Sequence, residues 1–216
     1  MDDTASYLDM LANEIHSVVV ATTDSEGHPV TRVIDIMLSD GETIYFLTAK
    51  GKAFAGQLMD TGFIALTGMT GGASLDRAHA SLAIKAISLR GTVECIGQEK
   101  LDEIFEKNPY MAQIYPTDAS RQALVVFCME EGEGELFDLS TKPITRKSFR
   151  VGAGEAEAPH YPYLIGPACI GCGACLAVCP QDCIKHGKKP FEIEQDHCLH
   201  CGNCWSICPE HAVMKR

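Results

Sequence analysis

CIGCGACLAVCP, residues 169–180, places four cysteines at the spacing C-x2-C-x2-C-x3-C-P. CLHCGNCWSICP, residues 198–209, repeats that spacing 29 positions later without a gap. The two runs hold eight of the chain's 11 cysteines, and nine of the 11 fall in the last 48 residues. Cysteines three apart, repeated twice, suit one compact metal centre better than a set of loop-closing disulfides. Zinc takes four ligands, usually as two separated pairs, and fits C-x2-C-x2-C poorly.

Two-residue gaps let three thiolates turn inward from one tight loop and meet three corners of an iron–sulfur cube. The small residues Gly171, Gly173 and Ala174 let the backbone come close, so that its N–H groups point at the sulfurs. This segment, roughly residues 160–216, resembles the two-cluster bacterial 4Fe–4S ferredoxins at every ligand position. In such ferredoxins the fourth cysteine of each run serves the other cluster. The resemblance therefore implies one 4Fe–4S cluster on Cys169, Cys172, Cys175 and Cys208, and a second on Cys198, Cys201, Cys204 and Cys179. The internal repeat pairs Cys183 with Ala212, which predicts a small buried position for that ninth cysteine. The link KHGKKPFEIEQDH reads as a hairpin, with Phe191 and Ile193 inward and Gly187 near the turn. Trp205 and His200 are expected to cover the cluster against water.

The bulk numbers bound the rest. The chain has 216 residues, 46% hydrophobic, enough for one medium domain and one small one. It has no apolar run long enough for a membrane span and no basic-then-apolar leader, so a cytoplasmic protein with no membrane partner is expected. The net charge is −11. Residues 1–159 carry 24 acidic and 13 basic side chains, and residues 160–216 carry five of each. No basic stripe exists to follow a phosphate backbone, which argues against nucleic acid.

Residues 16–150 are dominated by short β-branched and aromatic runs: HSVVVATTD, PVTRVIDIML, TIYFLTA, GFIALTGM, SLRGTVECIG, ALVVFCME and GELFDL. Turn signals separate them at DSEGHP, SDGE and EEGEG, and Asp40-Gly41 marks a hairpin. TASYLDMLANEI, GKAFAGQLMD and QEKLDEIFEKN carry helical spacing. Many strands with few helices predict a small barrel. The order of elements, with an Arg on the second strand and T-A-K-G-K leading into a helix, resembles the pyridoxamine 5′-phosphate oxidase-like FMN-binding split barrel over roughly residues 3–152.

The expected fold class is thus a mainly β N-terminal domain, a split β-barrel with a few helices, plus a small α+β ferredoxin-type domain. The expected limits are 1–152 for the barrel, 153–163 for a linker rich in Gly, Ala, Glu and Pro, and 164–216 for the ferredoxin.

A helix N-terminus favours an anion, and Lys50 and Lys52 add charge there. Arg32, on a neighbouring predicted strand, can fork onto phosphate oxygens. The resemblance implies that these cations bind the FMN phosphate, with Thr48 near the phosphate and the backbone of Val33 and Ile34 near the ring. It also sets Lys85 and Ser88 before a strand that flanks the flavin. The stretch TGMTGGAS (67–74) lacks the following Lys-Ser or Lys-Thr of a phosphate loop and reads as a connection. Arg77 and His79 have no partner visible in sequence. Cys95 and Cys128 read as core, and Arg146 and Lys147 as candidates for the flavin edge or, preferred here, a solvated strand end. No residue set for holding pyridoxamine phosphate is visible, and the Arg-rich C-terminal substrate segment of the oxidases is absent.

The fusion carries the functional expectation. Clusters pass single electrons, and a flavin gathers or splits pairs. The expected protein relays electrons between a one-electron carrier or redox partner protein, two clusters, FMN and a small-molecule acceptor, as a homodimer with flavin at the subunit interface. The competing expectations are a plain electron carrier with a docking barrel, and a sensing barrel that binds haem or a deazaflavin.

Overall fold

The computed structural model describes residues 3–71, 84–152 and 161–216. Arg77, His79, the end of the Gly-rich stretch and most of the expected linker lie outside the described residues. The described chain divides into two compact units. The first takes residues 3–71, 86–136 and 148–152, and the second takes 84–85, 137–147 and 161–216.

In the first unit, α1 (Asp3–Asp9) runs into a π-helix (Met10–Ile15) where the sequence predicts one α-helix. The strands β1 (Ser17–Thr23), β2 (Pro29–Asp35), β3 (Leu38–Ser39), β4 (Ile44–Ala49), β5 (Phe63–Met69), β6 (Lys85–Gly97), β7 (Leu124–Asp138) and β8 (Thr145–Val151) form one sheet. Its order is β2-β1-β5-β6-β7-β4-β3, with β8 paired to β7. The helices are α2 (Ala53–Thr61), α3 (Leu101–Lys107), α4 (Met111–Ile114) and α5 (Asp118–Arg121). This is the expected split barrel: a curled antiparallel sheet with few helices. The Asp40-Gly41 hairpin forms between β3 and β4, with Gly41 at φ 87°.

Burial explains the alternation. Val18, Val20 and Thr22 of β1 face the barrel core, as do Ile87, Leu89 and Val93 of β6. The paired strands β4 and β7 are covered on both faces. Phe46 and Phe127 stack in the main core with ring centroids 5.6 Å apart. Tyr45, Leu124 and Val126 face a second cluster with Leu101, Ile104 and Phe105 of α3. Each fully buried side chain of this size contributes about 1.5–3 kcal/mol.

One sequence expectation is corrected. EEGEG does not separate two strands; it runs inside the 15-residue strand β7. Its glycines serve close approach. A Cβ on Gly134 would sit 2.3 Å from the Phe149 ring. The partner strand is equally tight, because a Cβ on Gly91 would lie 2.0 Å from the Glu131 carbonyl oxygen.

In the second unit, β9 (Tyr163–Ile165) pairs with β12 (Val213–Lys215), and β10 (Ile184–Lys185) pairs with β11 (Glu192–Ile193). Short helices α6 (Ala174–Ala177) and α7 (Asn203–Ile207) follow the cysteine loops. The predicted hairpin is present, with Phe191 and Ile193 buried and Gly187 at φ 114°. A 3-10 turn (Gln195–His197) lies just before the second motif. Ile193 stands five residues before Cys198 and Ile165 only four before Cys169, so the repeat gains one residue there. Among the described residues no helix is long and apolar enough to cross a membrane.

Candidate redox sites

The two cysteine loops fold alike. Gly173 and Gly202, 29 apart, hold φ 80° and 79° and start α6 and α7. Asp182 and His211, also 29 apart, hold φ 51° and 48°. At the remaining pair Gly171 has φ 75° and His200 φ 55°. A left-handed His costs roughly 1–2 kcal/mol that Gly avoids. The repeat read from sequence is therefore a repeat of backbone geometry.

Each pair of loops lines a hollow. The first is lined by Cys169, Cys172, Cys175 and Cys208, with Gly171, Phe191 and Val213 among its walls. The second is lined by Cys179, Cys198, Cys201 and Cys204, with Cys183 beside them. In both, three thiols come from one motif and the fourth from the other. Among the described residues no three His, Cys, Asp or Glu side chains converge closely enough to hold a single ion. Four thiols around a wider hollow fit a thiolate-bound cube better than a mononuclear zinc site.

The backbone supplies donors to the sulfurs. His200 N–H donates to Cys198 Sγ at 3.4 Å, and Ala212 N–H donates to Cys208 Sγ at 3.2 Å. Such bonds favour the thiolate. Burial opposes it: it raises the thiol pKa at Cys175 and Cys198 and pushes Cys204 up to about 11. Bound iron would supply the compensating charge, and its loading would release protons. Cys183 and Ala212 are both buried, as the alignment predicts. Cys183 Sγ lies 3.5 Å from Cys179 Sγ. Trp205 is exposed and lies outside both cavity linings.

In the barrel, Arg32 sits in the inward phase of β2. Its guanidinium donates to Thr22 Oγ1 and Gln57 Oε1, each at 2.7 Å, and stacks over Phe54 at 4.3 Å. Both partners are neutral, so these bonds leave its positive charge uncompensated, and burial lowers its pKa from the ordinary value. Phe54 and Gln57 lie on α2, whose N-cap is Lys52. The structure thus joins Arg32 to the helix that Lys50 and Lys52 precede. Both lysines are exposed and Thr48 is buried on β4. This donor set suits a phosphate: a half-buried cation, two exposed ones and a nine-residue helix start.

Val33 points out of the sheet and is 68% exposed, whereas Ile34 packs on the core. Val33, Val19, Thr67 and Ser88 form one cross-strand row on the outer face. Lys85 stands in the opposite phase of β6, in the second unit, where it pairs with Asp138 at 3.9 Å. Lys85 and Ser88 therefore do not share a face.

Sequence reasoning missed Thr22 and Gln57. A polar residue in the buried phase of Val18, Val20, Thr22 was the available signal. It also missed a network at the end of the sheet. Tyr110 Oη donates to Asp35 Oδ2 at 2.9 Å, Ser17 Oγ donates to Asp35 Oδ1 at 2.6 Å, and His16 Nε2 lies 3.2 Å from Tyr110 Oη. Burial, reinforced by Asp35, pushes the Tyr110 phenol up to about 12. Cys95 and Cys128 are half-buried against the two cores. Arg146 and Lys147 are not a solvated strand end: Arg146 lies over the Phe137 ring at 4.9 Å, and Lys147 pairs with Asp196.

The pyridoxamine 5′-phosphate oxidase family model matches residues 7–135, and the 4Fe-4S dicluster domain model matches residues 168–212. No curated protein matches the chain. Among solved structures, a NimC/NimA family protein from Clostridium acetobutylicum is similar with TM-score 0.55 at 16% identity, covering 69% of this chain and 93% of the other. A Clostridium acetobutylicum protein related to general stress protein 26 of B. subtilis, of the pyridoxinephosphate oxidase family, has TM-score 0.50 at 15% identity, covering 69% and 95%. A heme binding protein from Mycobacterium smegmatis has TM-score 0.50 at 14% identity, covering 68% and 57%. These likenesses are of fold.

Proposed function

We propose that this chain, which belongs to the pyridoxamine 5′-phosphate oxidase family, is an FMN- and iron–sulfur-dependent oxidoreductase. It relays electrons between a one-electron carrier, two 4Fe–4S clusters, FMN and a small acceptor. The observation that carries this reading is the pair of four-thiol cavities, each completed by a cysteine of the other motif, on a chain whose larger part is the family's barrel.

Bound FMN would supply exchange of electrons singly or as a hydride, and bound clusters would supply single-electron exchange. The chain's own residues do the rest. The eight thiolates hold the clusters, and the N–H donors of His200 and Ala212 stabilise the sulfurs. Arg32, Lys50 and Lys52 supply positive charge for the FMN phosphate, with Arg32 oriented by Thr22 and Gln57. The outer face around Val33 offers apolar surface to the ring. Val33, Val19, Phe63 and Met69 are exposed on that face, and such a patch is suited to a second copy of the chain. A homodimer is therefore part of the reading.

The test is an anaerobic titration of reconstituted protein with a one-electron donor, followed by absorbance. Flavin that is reduced along with the clusters supports the relay. Clusters that reduce while bound flavin stays oxidised refute it. Because the fold also serves a protein described as heme binding, the same spectrum distinguishes flavin from haem.

A further inference from the structure

The repeat pairs positions 29 apart, so each thiol site serves as a control for the other. One difference between them is a sulfur. Four cysteines line the first hollow and five line the second, the fifth being Cys183 where the first has Ala212. The backbone at the two positions is alike. Asp182 and His211, which precede them, hold φ 51° and 48°. Glu194 N–H donates to the Cys183 carbonyl oxygen at 2.7 Å, and Gly166 N–H donates to the Ala212 carbonyl oxygen at 2.8 Å. Both residues are buried, so Ala212 shows that this position packs without sulfur.

The added sulfur stands where a ligand stands. Cys179 is the thiol that the second site takes from the first motif, and Cys183 follows it by four residues. Asp182 N–H donates to the Cys179 carbonyl oxygen at 3.4 Å, and this turn brings Cys183 back against Cys179. Their Sγ atoms lie 3.5 Å apart. A metal ion holds thiolate sulfur at about 2.3 Å, so two sulfurs on one tetrahedral ion stand about 3.7 Å apart. The pair is thus spaced much as two ligands of one ion are. Cys183 also packs with Cys198, a second ligand of the same site, in one buried cluster.

We propose that Cys183 is a reserve ligand at the second site, able to take over the iron that Cys179 holds. Among the described residues the first hollow has no fifth thiol, so the first site has no such reserve. This rests on the 4Fe–4S part of the reading above and is independent of the flavin. In the exchange Cys179 releases its bond to iron and Cys183 forms one. The Cys183 thiol proton passes to the Cys179 sulfur, and no electron changes hands. The second cluster therefore survives loss of its fourth ligand, and the first does not.

The experiment uses the full chain, reconstituted without oxygen and then freed of small thiols that can stand in as ligands. The unaltered chain is compared with Cys179→Ala, with the double variant Cys179→Ala, Cys183→Ala, and with Cys208→Ala. Iron and sulfide per chain are counted. Electron paramagnetic resonance separates a complete cube from one that lacks an iron. Cys179→Ala is expected to keep about eight irons and two complete cubes. The double variant and Cys208→Ala are each expected to lose an iron or a whole cluster. Adding Ala212→Cys to Cys208→Ala transplants the reserve, and it is expected to restore the lost iron at the first site. Equal iron in Cys179→Ala and the double variant overturns the proposal, as does Cys208→Ala that keeps two complete cubes. If both Cys179 variants fail to fold, the transplant decides: restored iron upholds the proposal and unrestored iron overturns it. Zinc, or far fewer than about eight irons, in the unaltered chain is a different failure, because it removes the cluster reading itself and this proposal with it.

Discussion

The first unit closes on carbon and the second on sulfur. Phe46, Phe127, Leu8, Leu11 and Ile64 fill the barrel, and α3 adds a second apolar layer on β4 and β7. In the second unit one core cluster of six buried residues holds three cysteines, Cys175, Cys183 and Cys198, packed with Ile184, Phe191 and Ile193. A domain of that size is marginal by packing alone. The comparison teaches that the barrel's fold is written in hydrophobic alternation, whereas the small unit depends on what its thiols hold.

The comparison breaks most visibly at a ligand. Cys175→Ser, or removal of iron with a chelator under reductant, is expected to unfold residues 161–216 while the barrel keeps its own melting transition. Hydrogen exchange read separately over the two units checks this, and equal loss of protection in both would erase the distinction. In the opposite direction, Phe127→Ala should cost the barrel about 3–5 kcal/mol and leave iron content unchanged. Calorimetry with iron analysis measures both. Gly134→Val should cost about 1–3 kcal/mol, because its side chain would collide with Phe149. Arg32→Ala should weaken FMN binding roughly tenfold to hundredfold, the loss expected for charged hydrogen bonds, read by fluorescence titration. The smallest effect is at Tyr110. Its phenol is raised above the unfolded value, so its contribution to stability is complete below about pH 10 and is lost as pH climbs towards about 12. Asp35→Asn should bring its ultraviolet titration midpoint down towards the ordinary value.

Legibility followed the same division. All eight predicted ligands line the two cavities in the predicted sets, because ligand spacing is a local constraint that contiguous sequence must satisfy. Strand positions in the barrel were legible from alternation. EEGEG was not, because a glycine pair signals a turn locally, while here the reason for glycine is the Phe149 ring, which only the fold brings near. Arg32 was legible as a cation for the helix start, yet its bonds to Thr22 and Gln57 depend on how α2 lies on β1. The attachment of residues 137–147 to the second unit is a tertiary fact with no sequence signature beyond His197 and Gln181, which bond to Ile144, being polar where the repeat has Ala168 and an exposed Glu210.

The most direct measurement is metal, sulfide and flavin analysis of oxygen-free protein joined to a one-electron reductive titration. About eight iron and eight sulfide per chain, with flavin reduced alongside the clusters, is the predicted result. Zinc in place of iron, or bound flavin that stays oxidised beside fully reduced clusters, would contradict the account.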